Sequence, residues 1–452
     1  SFCAEMGVGI QMVYRSRPIV KAEAAEALMV RTLGSGANGI GYYMYHGGST
    51  PKQNNGVGFF SDDGMGMPKI SYDYQAPIGE FGLVRDSYQN LRILHTFLKD
   101  FGSILAPMET VLPEGYEKIT PDNRETLRYA ARMKEDAGFI FMTNFQDHDT
   151  ARFDQTDLQL KLKLKKQTLI IPSSKTFTLK KDQSVILPFN LSMEGALLKY
   201  STTQLLAKVE EKNAVHYFFF APEGLRTEYS FDKSTLSSGK EFYTPKPGLK
   251  STFSITVKNG KTLKITTLTR QQALNTTKVN NHILITEATV LPEKEQCTLL
   301  SLGKTQISYA LYTANKGWKE ETIEVQPVDV KADWKKVGTR RMTVKIDQPD
   351  VPQVNDYFLR VNYVADVAMA FIGGYLVLDH YYYGIPWTIG LRRFKNELKN
   401  EYLSFYFRPL RKDAPFIGDL PVEAIPDFSQ KDADCLVRSV DVIPEYKAIV
   451  NI

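Results

Sequence analysis

Hydrophobic and polar positions follow two different periods along this chain. Residues 21–33, KAEAAEALMVRTL, are rich in Ala, Glu and Leu and are followed by Gly34, which predicts a helix with a glycine stop. Residues 85–102, RDSYQNLRILHTFLKDFG, set Leu91, Leu94 and Leu98 on one side of a second helix. Between them GIGYYMYHGG, residues 39–48, is a compact apolar and aromatic run closed by two glycines, and it reads as a buried strand. A long loop dense in Gly, Asn, Asp and Ser follows. The first hundred residues therefore read as loop, helix, strand, loop, helix, an α/β alternation.

Past about residue 115 the period shortens to that of strands. GFIFMTNF, LQLKLKLK, SVILPFNLS, HYFFFAP, HILITEATV and QISYALYT succeed one another with no helical stretch between them, which predicts β-sandwiches. Asn259-Gly260, at the middle of TFSITVKNGKTLKITT, predicts a hairpin. A composition break near residues 326–340 precedes DYFLRVNYVADVAMAFIGGYLVLDH and LSFYFRPL, which suggest a further β-domain, and DCLVRSVDVIPEYKAIV reads as closing strands. Boundaries are expected near 112 and 328, dividing the chain into 1–112, 113–328 and 329–452. That agrees with a length suited to about three domains. No repeat of fixed period is visible.

Composition changes this picture little. A hydrophobic content of 43% and a charged content of 24% are those of an ordinary globular protein. The net charge of +5 is thinly spread. The densest basic stretch, KLKLKK at 161–166, alternates Lys with Leu and reads as the solvated face of a strand, so no nucleic-acid partner is expected. Cys3, Cys297 and Cys435 are odd in number and far apart, which argues against a zinc site or a disulfide framework and leaves room for one incidental bridge. No apolar run has the length of a membrane span, and no signal peptide is visible at the start.

Candidate chemistry begins at SFCAEMGVGIQ, where a single acid, Glu5, sits between a short apolar run and Gly7 and Gly9. Taken with YYMYHGG and, some two dozen residues on, SYDYQAPIGEFG, this segment resembles glycoside hydrolase family 35, the β-galactosidases. The order and spacing of Glu5, Tyr43 and Tyr74 fit that family over residues 1–105, and the β-rich remainder is similar to accessory domains of its bacterial members. The resemblance implies a retaining hydrolase acting on β-linked galactosides of oligo- or polysaccharides. It implies a catalytic (β/α)₈ barrel in which Glu5 is the nucleophile at the end of strand seven and YYMYHGG is strand eight. By the same resemblance Tyr43 faces the sugar and orients the carboxylate through its hydroxyl, Tyr74 contacts the galactose, and Tyr72 is structural.

A barrel of this kind takes about 250 residues, whereas only about 105 precede the β-rich part here. The fold expected is therefore the C-terminal portion of a (β/α)₈ TIM barrel, its last two βα units, followed by β-sandwich and jelly-roll domains, mostly β overall. The acid/base glutamate, carried in the family by an NEYG-like segment, is missing with the first part of the barrel. The one similar string, NEYLS at 400–404, has no glycine after the tyrosine and falls in the last β-domain. The partners implied are a β-galactoside and either the missing barrel segment or a second copy of the chain. No cofactor or metal is implied, because both catalytic roles belong to carboxyl groups. Export from the cell is expected from the habit of polysaccharide-degrading bacterial members.

Two departures from the family pattern, Ser49-Thr50 after Gly47-Gly48 and Gln75 in place of an aspartate, are expected to bear on substrate choice. His46 reads as a satisfied histidine at a strand end. In the loop YYYGIPW, Trp387 and Tyr382 are candidates for a secondary sugar contact by stacking, set against the plainer reading of an inter-domain contact or loop core. The alternative for the whole chain is a non-catalytic carbohydrate-binding or structural β-domain protein.

Overall fold

The two predicted helices form as α1 (Ala22–Gly34) and α2 (Asp86–Leu105) in a computed structural model of the chain, which describes residues 1–51, 66–165 and 167–452. Most of the Gly- and Asn-rich loop expected after residue 48, and Lys166 at the end of KLKLKK, lie outside the described residues. β1 (Phe2–Met6) and β2 (Gly39–Tyr42) flank α1 and pair in parallel, Phe2 opposite Gly39 and Met6 opposite Tyr42. A Cβ on Gly41 would stand 2.4 Å from the carbonyl oxygen of Ala4, so glycine is what lets the two strands close. Among the described residues this sheet has two strands only, and both of its outer edges lack a strand partner.

The apolar run 39–48 is not one strand. The chain leaves the sheet after Tyr42, and its aromatic character has another cause: Tyr42 and Tyr45 turn toward α2. The Tyr42 hydroxyl lies 2.7 Å from Nε2 of His95, and the Tyr45 ring sits 6.2 Å from that of Tyr88. Gly48 and Ser49 instead make β3 (Gly48–Ser49), antiparallel to β4 (Ser71–Tyr72).

Both helices lay their apolar faces on the following β-sheet. Met29, Val30 and Leu33 of α1 and Leu94, Phe97 and Phe101 of α2 share one core with Phe139, Phe141, Ile186 and Leu191. Burying each of these large side chains stabilises by about 2 kcal/mol. The guanidinium of buried Arg132 closes the arrangement, donating to the carbonyls of Ala37 beyond α1 (3.2 Å) and of Leu105 in the last turn of α2 (3.1 Å). Cations at these helix ends satisfy carbonyls that have no partner within the helix.

The rest of the chain is β-structure. Seven strands between Glu109 and Tyr243 form one sheet, packed against α1 and α2, and a five-stranded sheet contains the predicted hairpin, with Gly260 at φ +86° in its turn. Leu160–Lys163 pairs with Thr168–Ile171 and exposes Lys161 and Lys163, as the alternation predicts. Two further five-stranded sheets share a core that includes Leu359, Val361, Ala368 and Phe405, forming a C-terminal sandwich.

The boundary drawn at residue 328 is crossed by a sheet. The long last strand, Leu436–Asn451, pairs on one side with Gln296–Leu302 and on the other with Val354–Val364. Its far end, through Ala448 and Val450, shares a core with Cys297, Leu299 and Ile307, so the chain's end belongs to the middle β-region as well as to the last. All three cysteines are free, and the incidental bridge does not form. No helix among the described residues is long and apolar enough to cross a membrane.

Candidate active site

Glu5 stands one residue before the end of β1, and Tyr43 is the first residue beyond β2. The two strand ends are tied by the Tyr43 N–H, which donates to the carbonyl of Met6 over 3.1 Å. Chemistry is commonly mounted at the C-terminal ends of parallel strands, where loops carry side chains on a rigid frame. The glycines after Glu5 serve that loop. Gly9 packs so tightly on the backbone of Tyr74 that a Cβ would stand 2.3 Å from its carbonyl oxygen, an oxygen that also accepts the Ile10 N–H at 2.7 Å.

Tyr43, Tyr72 and Tyr74 form one cluster. The Tyr43 and Tyr72 hydroxyls are hydrogen-bonded to each other, the Tyr74 hydroxyl reaches that of Tyr72 at 3.5 Å, and Tyr74 donates to Oε1 of Gln11 at 2.5 Å. The Tyr74 ring stands edge-on to that of Tyr43 at 5.5 Å and is tilted against that of Tyr72 at 4.6 Å. Burial, then the hydrogen bonds among these phenols, holds the Tyr74 hydroxyl well above its ordinary pKa, and burial raises that of Tyr72. Both therefore stay protonated, and Tyr74 donates to a ligand only by turning its O–H away from Gln11. They cannot serve as bases.

Two expectations change here. The Tyr43 hydroxyl meets Tyr72, not the carboxylate of Glu5, which is exposed and has no hydrogen bond or ion pair among the described residues. Tyr72, read as structural, is the middle member of the hydroxyl chain. The strand ends at Tyr72 and Tyr74 turns at φ +57°, so no strand period signalled that the two hydroxyls meet. Gln11 carried no signal of its own.

The loop around the tyrosines is fastened from several sides. Asp73 accepts from Arg85 at 2.6 Å and from the Glu80 N–H at 2.7 Å. The amide of Gln75 is used within the protein, donating to the carbonyl of Pro18 at 2.8 Å and accepting from the Val20 N–H at 3.2 Å. Ser49 donates to Glu80, accepts from Arg393 at 2.5 Å, and so bridges to the C-terminal sandwich. His46 contacts the carbonyl of Gly47 beside its own ring. A cleft of about 470 Å³ opens between this loop and the sandwich, bordered by Tyr72, Tyr74, Glu80, His380 and Trp387, while Glu5 and Tyr43 lie outside it. Trp387 is only 4% exposed and stacks on His380, and Tyr382, 2% exposed, donates to the carbonyl of Ala424 at 2.9 Å. Neither offers the open ring face that stacking on a sugar requires, because both rings are used in the core of the sandwich. Among the described residues no three His, Cys, Asp or Glu side chains converge on a metal site.

Glu80 gives the loop a dependence on pH. Its carboxyl is buried, accepts from Ser71 at 2.8 Å and lies 3.8 Å from Arg393. Burial pushes it up to about 7 from an ordinary 4.5, with the nearby charge of Asp73 adding to the rise and the Ser49, Ser71 and Arg393 donors opposing it. A carboxyl raised in the folded state binds its proton more tightly there than in the unfolded chain, so its contribution to stability is full below about pH 4.5 and is lost as pH climbs to about 7. The span is worth on the order of 3 kcal/mol. The melting temperature should therefore fall more steeply from pH 5 to 7.5 in the wild type than in Glu80→Gln; equal slopes in the two proteins would refute this.

Residues 1–98 match the family model described as glycosyl hydrolases family 35, and residues 114–289 match that described as beta-galactosidase, domain 2. The first of these segments is thus similar to glycosyl hydrolases family 35. Among curated relatives, beta-galactosidase 6 of rice (Oryza sativa subsp. japonica) is 27% identical over 144 residues, which cover 32% of this chain and 15% of that protein. The match thus spans a small part of the relative's length. Two solved structures, the γ-CGTase from alkalophilic Bacillus clarkii and the GH31 α-xylosidase from Xanthomonas citri, are each 10% identical. They align over 72% and 74% of this chain and 53% and 37% of theirs, at TM-scores of 0.21 and 0.11, too low to bear on the fold.

Proposed function

We propose that this chain provides the nucleophile and part of the sugar pocket of a retaining β-galactosidase. The observation that carries the reading is the position of Glu5 at the C-terminal end of a parallel strand, tied to the strand end bearing Tyr43, within the segment that matches the family. In the reaction proposed, a carboxylate oxygen of Glu5 forms a bond to the anomeric carbon as the glycosidic C–O bond breaks, and the departing oxygen takes a proton from a second carboxylic acid. Water then displaces Glu5, giving its proton back to that second group. The two carboxyls need to stand about 5 to 5.5 Å apart. The second belongs to further barrel strands, and the unpartnered edges of β1 and β2 together with Phe2, 71% exposed, support such strands as neighbours. Tyr43, Tyr72 and Tyr74 act as neutral donors to the galactose hydroxyls.

A mechanism-based label tests the nucleophile directly. A 2-deoxy-2-fluoro-β-galactoside with a dinitrophenyl leaving group needs no acid to expel the phenolate, and the fluorine slows hydrolysis of the intermediate. Peptide mapping of the treated full-length protein should find the fluorosugar on the peptide containing Glu5. Modification of a different carboxylate would overturn the assignment, as would catalytic turnover that leaves no label.

A further inference from the structure

We propose that Asp379, in the C-terminal sandwich, is a positioning residue for the tyrosine cluster. The inference rests on the reading of Tyr72 and Tyr74 as sugar contacts. Asp379 lies on strand Tyr375–Tyr381, more than 300 residues from the cluster in sequence, and is buried against residues 69–71. Its carboxylate accepts three consecutive backbone N–H groups: Lys69 at 2.5 Å on Oδ2, then Ile70 at 3.1 Å and Ser71 at 2.8 Å on Oδ1. Ser71 opens β4, and the next residue is Tyr72. From the same strand the Tyr381 hydroxyl donates to the carbonyl of Gly66 at 2.9 Å. One strand of the sandwich thus grips the chain leading into the tyrosines at four points.

The grip matters because β4 is short, held from its own side by the Ser71 hydroxyl on Glu80 at 2.8 Å and the Thr50 N–H on the carbonyl of Ile70 at 2.7 Å. Its partner β3 is two residues long, and a ladder that short does not support itself in water. A further anchor again comes from the sandwich: Arg393 donates to Ser49 at 2.5 Å and to the carbonyl of Glu80 at 3.3 Å. At the other end of the hydroxyl chain, Gln11 sits in a loop held by Arg17, whose guanidinium donates to the carboxylate of Asp366 at 2.6 Å and to the carbonyl of Tyr382 at 3.1 Å. Both segments that carry the network from Tyr72 to Gln11 are therefore fastened to the sandwich. Side chains placed to bind a ligand lose affinity when their support loosens by even a fraction of an ångström. A carboxylate suits the task, since its two oxygens accept three charge-assisted bonds. An asparagine would keep the shape and set its own N–H donors against at least one of these amides.

The test is Asp379→Asn in the full-length protein, combined with Tyr74→Phe in a double-mutant cycle on kcat/KM for an aryl β-galactoside. Each single substitution should cost about tenfold, and the pair little more than the worse of the two, because Asp379 acts through the tyrosines. Losses that simply multiply would overturn the proposal. Amide exchange decides independently of activity: in Asp379→Asn, exchange over residues 69–75 should quicken while peptides of the sandwich core keep their protection. Unchanged exchange over 69–75 would equally overturn it. If the protein hydrolyses no β-galactoside, or is indifferent to Glu5→Gln, the functional reading falls and the exchange result still judges the positioning role. Should Asp379→Asn fail to fold, Tyr381→Phe removes only the Gly66 bond and carries both tests with the same expected directions.

Discussion

Glu5→Gln in the full-length protein is expected to lower kcat on aryl β-galactosides by about 10⁴-fold or more, the scale seen when a covalent nucleophile is removed. A carboxamide matches the carboxylate in size but does not attack the anomeric carbon. The fold gives this prediction its edge. Glu5 is exposed and has no partner among the described residues, so the substitution should leave stability within about 0.5 kcal/mol of wild type. A drop in activity with an unchanged melting curve is therefore chemical and not structural. Activity within tenfold of wild type would remove Glu5 from the mechanism, whatever family the chain belongs to.

Asp366→Ala should have the largest effect on stability. The Arg17 side chain is 0% exposed and its Nη2 lies 2.6 Å from Oδ1 of Asp366, while the Phe416 and Tyr381 rings stand 3.4 and 4.6 Å from the guanidinium carbon. Burial lowers the affinity of Arg17 for its proton, and Asp366 opposes that effect without cancelling it. Without that carboxylate a full positive charge remains in an apolar cage, and breaking a buried pair in this way costs about 3 to 5 kcal/mol. The rings and the remaining carbonyl acceptors return a part of it. Arg408, which also meets Asp366 at 3.0 Å, is half exposed and adds little. Urea unfolding should show an early transition in which the loop carrying Arg17 leaves the sandwich, and the double replacement Arg17→Met with Asp366→Leu should recover most of the loss. A single-mutant cost under about 1 kcal/mol would mean the pair is already compensated by its surroundings.

Local signals were the legible part of this fold. The helix at 22–34 and the hairpin at Asn259-Gly260 depend on residues close in sequence, and both were readable. The run 39–48 misled beyond Tyr42 because Tyr42 and Tyr45 serve the side of α2 and Tyr43 joins the tyrosine cluster, so its aromatic character does not mark a continuing strand. The double pairing of residues 436–451 had no local sign at all, since register between strands distant in sequence, Gln296 opposite Asn451 and Val364 opposite Leu436, is set by packing. Within the site, family motifs marked Glu5, Tyr43 and Tyr74. Asp379 and Asp366 are lone aspartates in β-rich stretches, and only the three-dimensional contact reveals what they hold.

The shared last strand also bears on how the molecule is made. Residues 436–451 are made long after their partners, yet they close the core around Cys297 and Leu299 and form the central strand between Gln296–Leu302 and Val354–Val364. Until this strand has been synthesised, those earlier strands have exposed edges awaiting a neighbour that does not yet exist, a state prone to aggregation. The β-regions beyond residue 289 should therefore mature only once residues 436–451 have been made. Expression of this protein should accordingly respond to chaperones that shield unpaired edges, and deletions within residues 436–451 should be far less tolerated than their distance from Glu5 suggests.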